Sequence, residues 1–164
     1  MKIFIAGIIE ESFVDGEGIR FSIFVQGCPH HCKGCHNPTT HNFSGGNIFD
    51  TASIIKSFIK NPLLNGITLT GGEPLCQIEA VTELAKAAKI FNLSVWCYTG
   101  YVYEELLSND KINQFLSYVD VLVDGKFIES QRDLTLNFRG SKNQRLIDVP
   151  KSRAKNKIVI WKDF

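Results

Sequence analysis

Five short runs rich in β-branched and aromatic residues constrain this chain most: RFSIFVQG (20–27), GITLTG (66–71), LSVWCYT (93–99), VDVLVDG (119–125) and KIVIW (157–161). Each is bounded by glycine or polar residues and reads as a strand. Runs of helical period fall between them. Ile54, Ile55, Phe58 and Ile59 share one face, Ile78, Val81, Leu84 and Ala88 another, and Ile112, Phe115 and Leu116 a third. Ser108, Asn109 and Asp110 stand ahead of the third run as capping side chains. Strands that alternate with helices build a parallel sheet of βα units. A closed eight-stranded barrel typically takes about 250 residues, so the 164 residues here fit an incomplete barrel or an open sheet. The stretch from Phe127 to Ser152 is expected to be a long, polar, irregular excursion of the kind that is usually functional.

The length and a hydrophobic fraction of 44% suit one domain, 1–164, with a single sizeable core. No linker, internal repeat or low-complexity tract divides it. Eighteen basic residues against 17 acidic ones leave a net charge of +1, with no electrostatic footprint for nucleic acid or an anionic membrane. The apolar opening MKIFIAGII stops at Glu10 and Glu11 and lacks the features of a signal peptide, and no stretch approaches a membrane span. Five cysteines, an odd number, without an export signal, point to the reducing cytoplasm. There clustered thiols bind metal or do redox chemistry more often than they form disulfides.

Three of the five, Cys28, Cys32 and Cys35, form a CxxxCxxC loop directly after the first run. Three close thiolates can hold three corners of an iron–sulfur cube and leave the fourth iron without a protein ligand. Spacing alone leaves a zinc site open as well, with His30, His31, His36 or His41 as the fourth ligand. LTGGEPL (69–75) follows the next run. Its paired glycines let backbone approach a ligand, and Glu73 brings a carboxylate suited to an ammonium group; equally, such a turn can simply connect a strand to a helix. The thiol loop, Gly71 to Glu73, YTGY (98–101) and VDGK (123–126) all lie just past the carboxyl ends of the expected strands. In α/β sheets and barrels those ends share one ligand-binding face. Cys76 and Cys97 are assigned no ligand role, because free cysteines are commonly buried and inert.

On these residues, together with SFVDGEGIRFSIFVQGC (12–28), the chain resembles the radical S-adenosylmethionine enzymes, specifically the small activases that install glycyl radicals. CHNPTTHNFSGG (35–46), WCYTGY (96–101), VDVLVDGKF (119–127) and FRGSKNQRLIDV (138–149) are similar to the activases of anaerobic ribonucleoside-triphosphate reductase. The resemblance implies an incomplete TIM-type barrel of parallel strands with outer helices. It implies that Cys28, Cys32 and Cys35 ligate a 4Fe-4S cluster, and that the cluster's open iron chelates the methionine amino and carboxylate groups of S-adenosylmethionine. Gly71, Gly72 and Glu73 would then receive that amino group, the backbone around Gly34, Cys35 and His36 would line the adenine, and Asp124 and Lys126 would lie near the methionine carboxylate. Gly34 stands where many such enzymes have an aromatic residue, so adenine stacking must come from elsewhere. An electron from the reduced cluster would split the sulfonium into methionine and a 5′-deoxyadenosyl radical. That radical would take a hydrogen from a glycine of the reductase's large subunit, with an external one-electron donor such as a flavodoxin-like protein re-reducing the cluster. No side-chain acid or base is called for, and the sequence offers no Ser/His/Asp set and no carboxylate pair.

Three other readings remain at this point: an activase of a different glycyl radical enzyme, a small-molecule radical enzyme such as a deazaguanine synthase, and a non-catalytic iron–sulfur carrier or zinc module. The first two would keep the thiol loop and the GGE turn without VLVDGKF and RGSKNQR; a zinc module would be colourless.

Overall fold

The structure is a computed structural model and describes residues 1–162. In chain order its strands are β1 (Lys2–Ser12), β2 (Arg20–Val25), β3 (Asn47–Asp50), β4 (Gly66–Gly71), β5 (Ser94–Tyr98), β6 (Val121–Asp124) and β7 (Arg145–Asp148). Its helices are α1 (Thr51–Ile59), α2 (Ile78–Ile90), α3 (Tyr103–Leu106), α4 (Asp110–Leu116) and α5 (Val149–Lys155). The seven strands form one sheet in the order β3-β1-β2-β4-β5-β6-β7.

The four central strands, β2, β4, β5 and β6, are mutually parallel. They are the first four runs expected from the sequence. The sheet as a whole is mixed, because β1 pairs antiparallel with both β2 and β3, and β7 pairs antiparallel with β6. It is also open, with β3 and β7 as its two edges. The architecture is therefore α/β with an unclosed mixed sheet, and the TIM-type barrel expected from the resemblance is corrected to that extent. KIVIW does not extend the parallel set. It runs antiparallel beside β7 through one bridge, Ile147 to Ile160, with Asp148 N donating to Val159 O at 2.9 Å and Trp161 N to Leu146 O at 2.9 Å. The 127–152 excursion is irregular only in its first part, since it ends in β7 and the first residues of α5.

Three helices, α1, α2 and α4, form where the period called for them, whereas α3 and α5 answer to no expected run. Ile54 and Phe58 of α1 are buried, as are Val81, Leu84 and Ala88 of α2 and Phe115 and Leu116 of α4. Capping side chains satisfy the first orphan amides: Asp50 accepts from Ala52 N, Asn109 from Ile112 N and Asp148 from Lys151 N. The main core lies between these helices and the sheet, with Ile3, Ile5, Phe21, Ile23, Ile67, Leu69 and Val95 facing Phe58, Val81, Leu84 and Phe115. β4 is buried from Gly66 to Leu69, its apolar Ile67 and Leu69 alternating with Thr68 and Thr70.

A cation interrupts the apolar interior. Arg20, 1% exposed, reaches from β2 across to β4 and β5. Its guanidinium donates to Thr68 Oγ1 at 3.1 Å, Ile67 O at 2.5 Å, Ser94 Oγ at 2.5 Å, Ser94 O at 3.2 Å and Glu17 O at 3.3 Å, and it lies 5.7 Å from the Trp96 ring centroid. Burial pushes its pKa down to about 10. The cation is kept by five oxygens and a ring face instead of a carboxylate. Among the described residues no helix is long and apolar enough to cross a membrane.

Candidate cofactor site

The carboxyl ends of β2, β4, β5 and β6 open onto one cavity of about 370 Å³. Cys28, Cys32 and Cys35 line it, as do Gly71 and Gly72 from the end of β4, Thr99 and Gly100 from the end of β5, and Lys126 after β6. The four motifs that the sequence placed on one face thus meet in one cleft.

Backbone hydrogen bonds hold the thiol loop at its base. Gly27, with φ +96°, turns the chain out of β2 and donates to Thr40 O at 2.8 Å, and Cys28 N donates to His41 O at 3.2 Å. The loop then folds on itself, Cys35 N donating to Cys32 O at 3.2 Å and Asn37 N to Cys35 Sγ at 3.3 Å. All three thiols are half-buried. Burial pushes the Cys28 thiol up, and the Glu73 carboxylate and the neighbouring cysteines add to that. A coordinated metal reverses this balance and deprotonates such a thiol outright.

The remaining expected residues divide. His36 lines the cavity and packs against Phe127, ring centroids 5.0 Å apart. Gly34 is exposed outside the lining, in a left-handed conformation at φ +74°, where a methyl group would lie 2.9 Å from Glu129 Oε1. Asp124 is buried and its carboxylate is committed to the protein: Tyr103 N donates to it at 2.8 Å, Arg145 Nε at 3.0 Å and Arg145 Nη2 at 2.5 Å. It borders a neighbouring cavity of about 640 Å³ and not the thiol-lined one. Asp124 first, then Glu104, holds the Arg145 guanidinium above its ordinary range.

Glu73 also departs from expectation. Its carboxylate is fully buried, off the cavity lining, and accepts from Leu75 N, Thr99 Oγ1, Gly100 N and His30 Nε2. A carboxylate offers about four acceptor positions, so the protein itself fills this one. What reaches the cavity from the GGE turn is the glycine backbone.

The sequence reading also missed several neighbours. Thr99 and Gly100 lie within YTGY, a stretch placed on this face by its position after a strand and by no residue in particular; Tyr98 lines the cavity, while Trp96 is buried behind it. His41 Nε2 and Arg139 Nε are buried without a hydrogen-bond partner among the described residues, and both side chains line the cavity. Nothing in the sequence separated His41 from three other histidines. Three thiols, the unpaired Arg139 donor and a glycine wall suit a group that is anionic and rich in acceptors, as a thiolate-held iron–sulfur cluster is. Among the described residues no three His, Cys, Asp or Glu side chains gather on a point that would hold a single metal ion.

Comparison with known proteins agrees with this chemistry. The family model described as a 4Fe-4S single cluster domain matches residues 14–147, which sets the class of the fold and its cofactor. A protein of Haemophilus influenzae is 39% identical over 141 residues, covering 80% of this chain and 88% of its own. One of Vibrio cholerae is 39% identical over 139 residues, covering 80% and 88%, and one of enterobacteria phage T4 is 38% identical over 140 residues, covering 82% and 86%. All three are named anaerobic ribonucleoside-triphosphate reductase-activating protein. The chain belongs to that family of activating proteins.

Proposed function

We propose that this chain is a radical S-adenosylmethionine activase that installs a glycyl radical on the large subunit of an anaerobic ribonucleoside-triphosphate reductase. The observation that carries this is the shared cavity: the three loop thiols and the Gly71–Gly72 wall border the same space.

Cys28, Cys32 and Cys35 would hold the 4Fe-4S cluster. When bound and reduced, the cluster with S-adenosylmethionine supplies the electron transfer and the carbon radical needed to take a hydrogen from glycine. The polypeptide binds, orients and encloses. Gly71 and Gly72 offer backbone polar groups at close range, because a side chain at either position is sterically barred. Arg139 Nε gives a donor to the acceptor-rich contents of the cavity, and His41 Nε2 gives another when it carries the ring proton. Tyr98, whose hydroxyl donates to Phe138 O at 2.7 Å, and Phe138 form an apolar part of the wall that excludes water from a reactive radical. Lys126 lines the same cavity and, with Arg139, is a cation available to a carboxylate there. The chain acts as one domain, in the cytoplasm, and an external one-electron donor of the flavodoxin type reduces it.

The deciding experiment mixes the anaerobically reconstituted, reduced protein with S-adenosylmethionine and the reductase large subunit, and reads the glycyl radical by electron paramagnetic resonance. Replacing Cys28, Cys32 or Cys35 by alanine is expected to abolish methionine release and the radical signal while far-ultraviolet circular dichroism stays at wild-type. Full cleavage activity in any one of these variants rejects the assignment of that thiol.

A further inference from the structure

Glu73 and His30 form a buried pair that joins the thiol loop to the rest of the site. The Glu73 side chain is 0% exposed and that of His30 is 6% exposed, and His30 Nε2 lies 2.7 Å from Glu73 Oε2. A carboxylate only accepts, so the imidazole donates. The other donors come from separate segments: Leu75 N at 3.1 Å from the turn that starts toward α2, and Thr99 Oγ1 at 3.0 Å and Gly100 N at 2.8 Å from the end of β5. Of these donors only His30 comes from the thiol loop, where it stands two residues from both Cys28 and Cys32.

The imidazole is itself confined. Its ring meets Tyr101 edge-on with centroids 4.6 Å apart. It also sits so close to Gly100 that a methyl group at that position would collide with its Cδ2 and Nε2 atoms. Two backbone bonds run parallel to this connection, Glu73 N to Gly27 O at 2.8 Å and Gly72 N to Val25 O at 2.8 Å. The placement of Gly71 and Gly72 is thus tied to the thiol loop on one side and to Gly100 on the other, and the Glu73 carboxylate is where the ties meet.

We propose that His30 and Glu73 are a positioning pair: His30, through a carboxylate that touches no cofactor, fixes the Gly71–Gly72 wall and Gly100 relative to the thiols. This rests on the functional reading above, in which that wall receives S-adenosylmethionine. A broken pair leaves the thiols able to load iron but lets the wall shift, and the loss appears in binding of the sulfonium compound and in the mobility of Gly100.

The test uses the full chain with its cluster reconstituted, in four forms besides wild type: His30→Leu, His30→Gln, Glu73→Gln, and His30→Leu with Glu73→Gln. Three quantities are read: iron and sulfide per chain, hydrogen exchange of the Gly100 and Leu75 amides without S-adenosylmethionine, and its affinity by calorimetry. His30→Leu is expected to keep the wild-type iron load, to speed exchange at Gly100, and to weaken binding by about tenfold, the scale on which groups behind the direct ligands act. His30→Gln, which keeps an amide donor, is expected to recover most of both losses, and the double variant to bind no worse than the weaker single variant.

Additive losses of affinity in the double variant, with Gly100 exchange unchanged in Glu73→Gln, would instead make the carboxylate a direct cofactor ligand and overturn the proposal. So would loss of iron in His30→Leu, which would place the imidazole among the groups that hold the cluster. If wild-type protein binds no S-adenosylmethionine the functional reading fails, and unchanged Gly100 exchange in His30→Leu then rejects the pair independently.

Discussion

At Gly71 and Gly72 the backbone of β4 comes against the backbone of β2 with no room for a side chain. Gly71 has φ +93°, and a methyl group there would lie 2.6 Å from Phe24 Cα; one at Gly72 would run into Gly27 O. Gly71→Ala is therefore expected to destabilise the fold by about 1–3 kcal/mol, the cost of holding an ordinary residue in a sparsely populated conformation. A lowered urea midpoint at unchanged slope is the measurement. These two glycines were legible because a glycine pair directly after a strand marks a backbone that turns or is closely approached. The cysteines were legible by spacing. Glu73 was read as a carboxylate open to an ammonium group, whereas the fold commits it to four donors that come from segments distant in sequence or from its own turn. Arg20 gave no warning either, because the oxygens that hold it belong to Glu17, Ile67, Thr68 and Ser94, and only the sheet register brings Arg20 opposite Gly66 and Ser94 opposite Gly66 in turn.

Among the elements, α1 shows what the helical stripe accomplishes. Phe58 is fully buried and meets Phe21 of β2 edge-on at 5.9 Å between centroids, so it connects the helix to the central sheet. Phe58→Ala is expected to cost about 3–5 kcal/mol, from lost transfer energy and the cavity left behind. Thermal and urea unfolding would register it, whereas iron content per folded chain should hold. Helices α1, α2 and α4 followed from periodicity, and the four parallel strands from their β-branched and aromatic composition. The antiparallel strands did not. In β1 the alternation of Ile3 and Ile5 with Lys2 and Phe4 breaks at a register shift between Ile5 and Gly7, and β3 (NIFD) and β7 (RLID) carry a single β-branched residue each. KIVIW has the composition of a strand, but it lies outside the parallel set and is held to β7 by a single bridge.

For the whole molecule, the scaffold and the chemistry occupy different places. The buried core lies between helices and sheet, while the three thiols sit in a half-buried loop beyond the strand ends. Local order gave the parallel centre, but closure depends on what the outer strands pair with, and those pairings are antiparallel and long-range. Cys97 reports on the scaffold alone: it is fully buried, and burial first, then the Glu73 charge, pushes its thiol well up. Because the thiolate is the reactive form, alkylation of Cys97 is expected only on global unfolding, at a rate that chelating the iron leaves nearly unchanged. Mass spectrometry of the labelled peptide distinguishes it from the loop thiols. Metal and folding are inseparable in small zinc domains; here the apolar core is built from residues other than the three thiols, so the framework is expected to outlast the loss of its inorganic cargo. A batch spoiled by air is then expected to be repairable, the emptied polypeptide being refilled without being rebuilt.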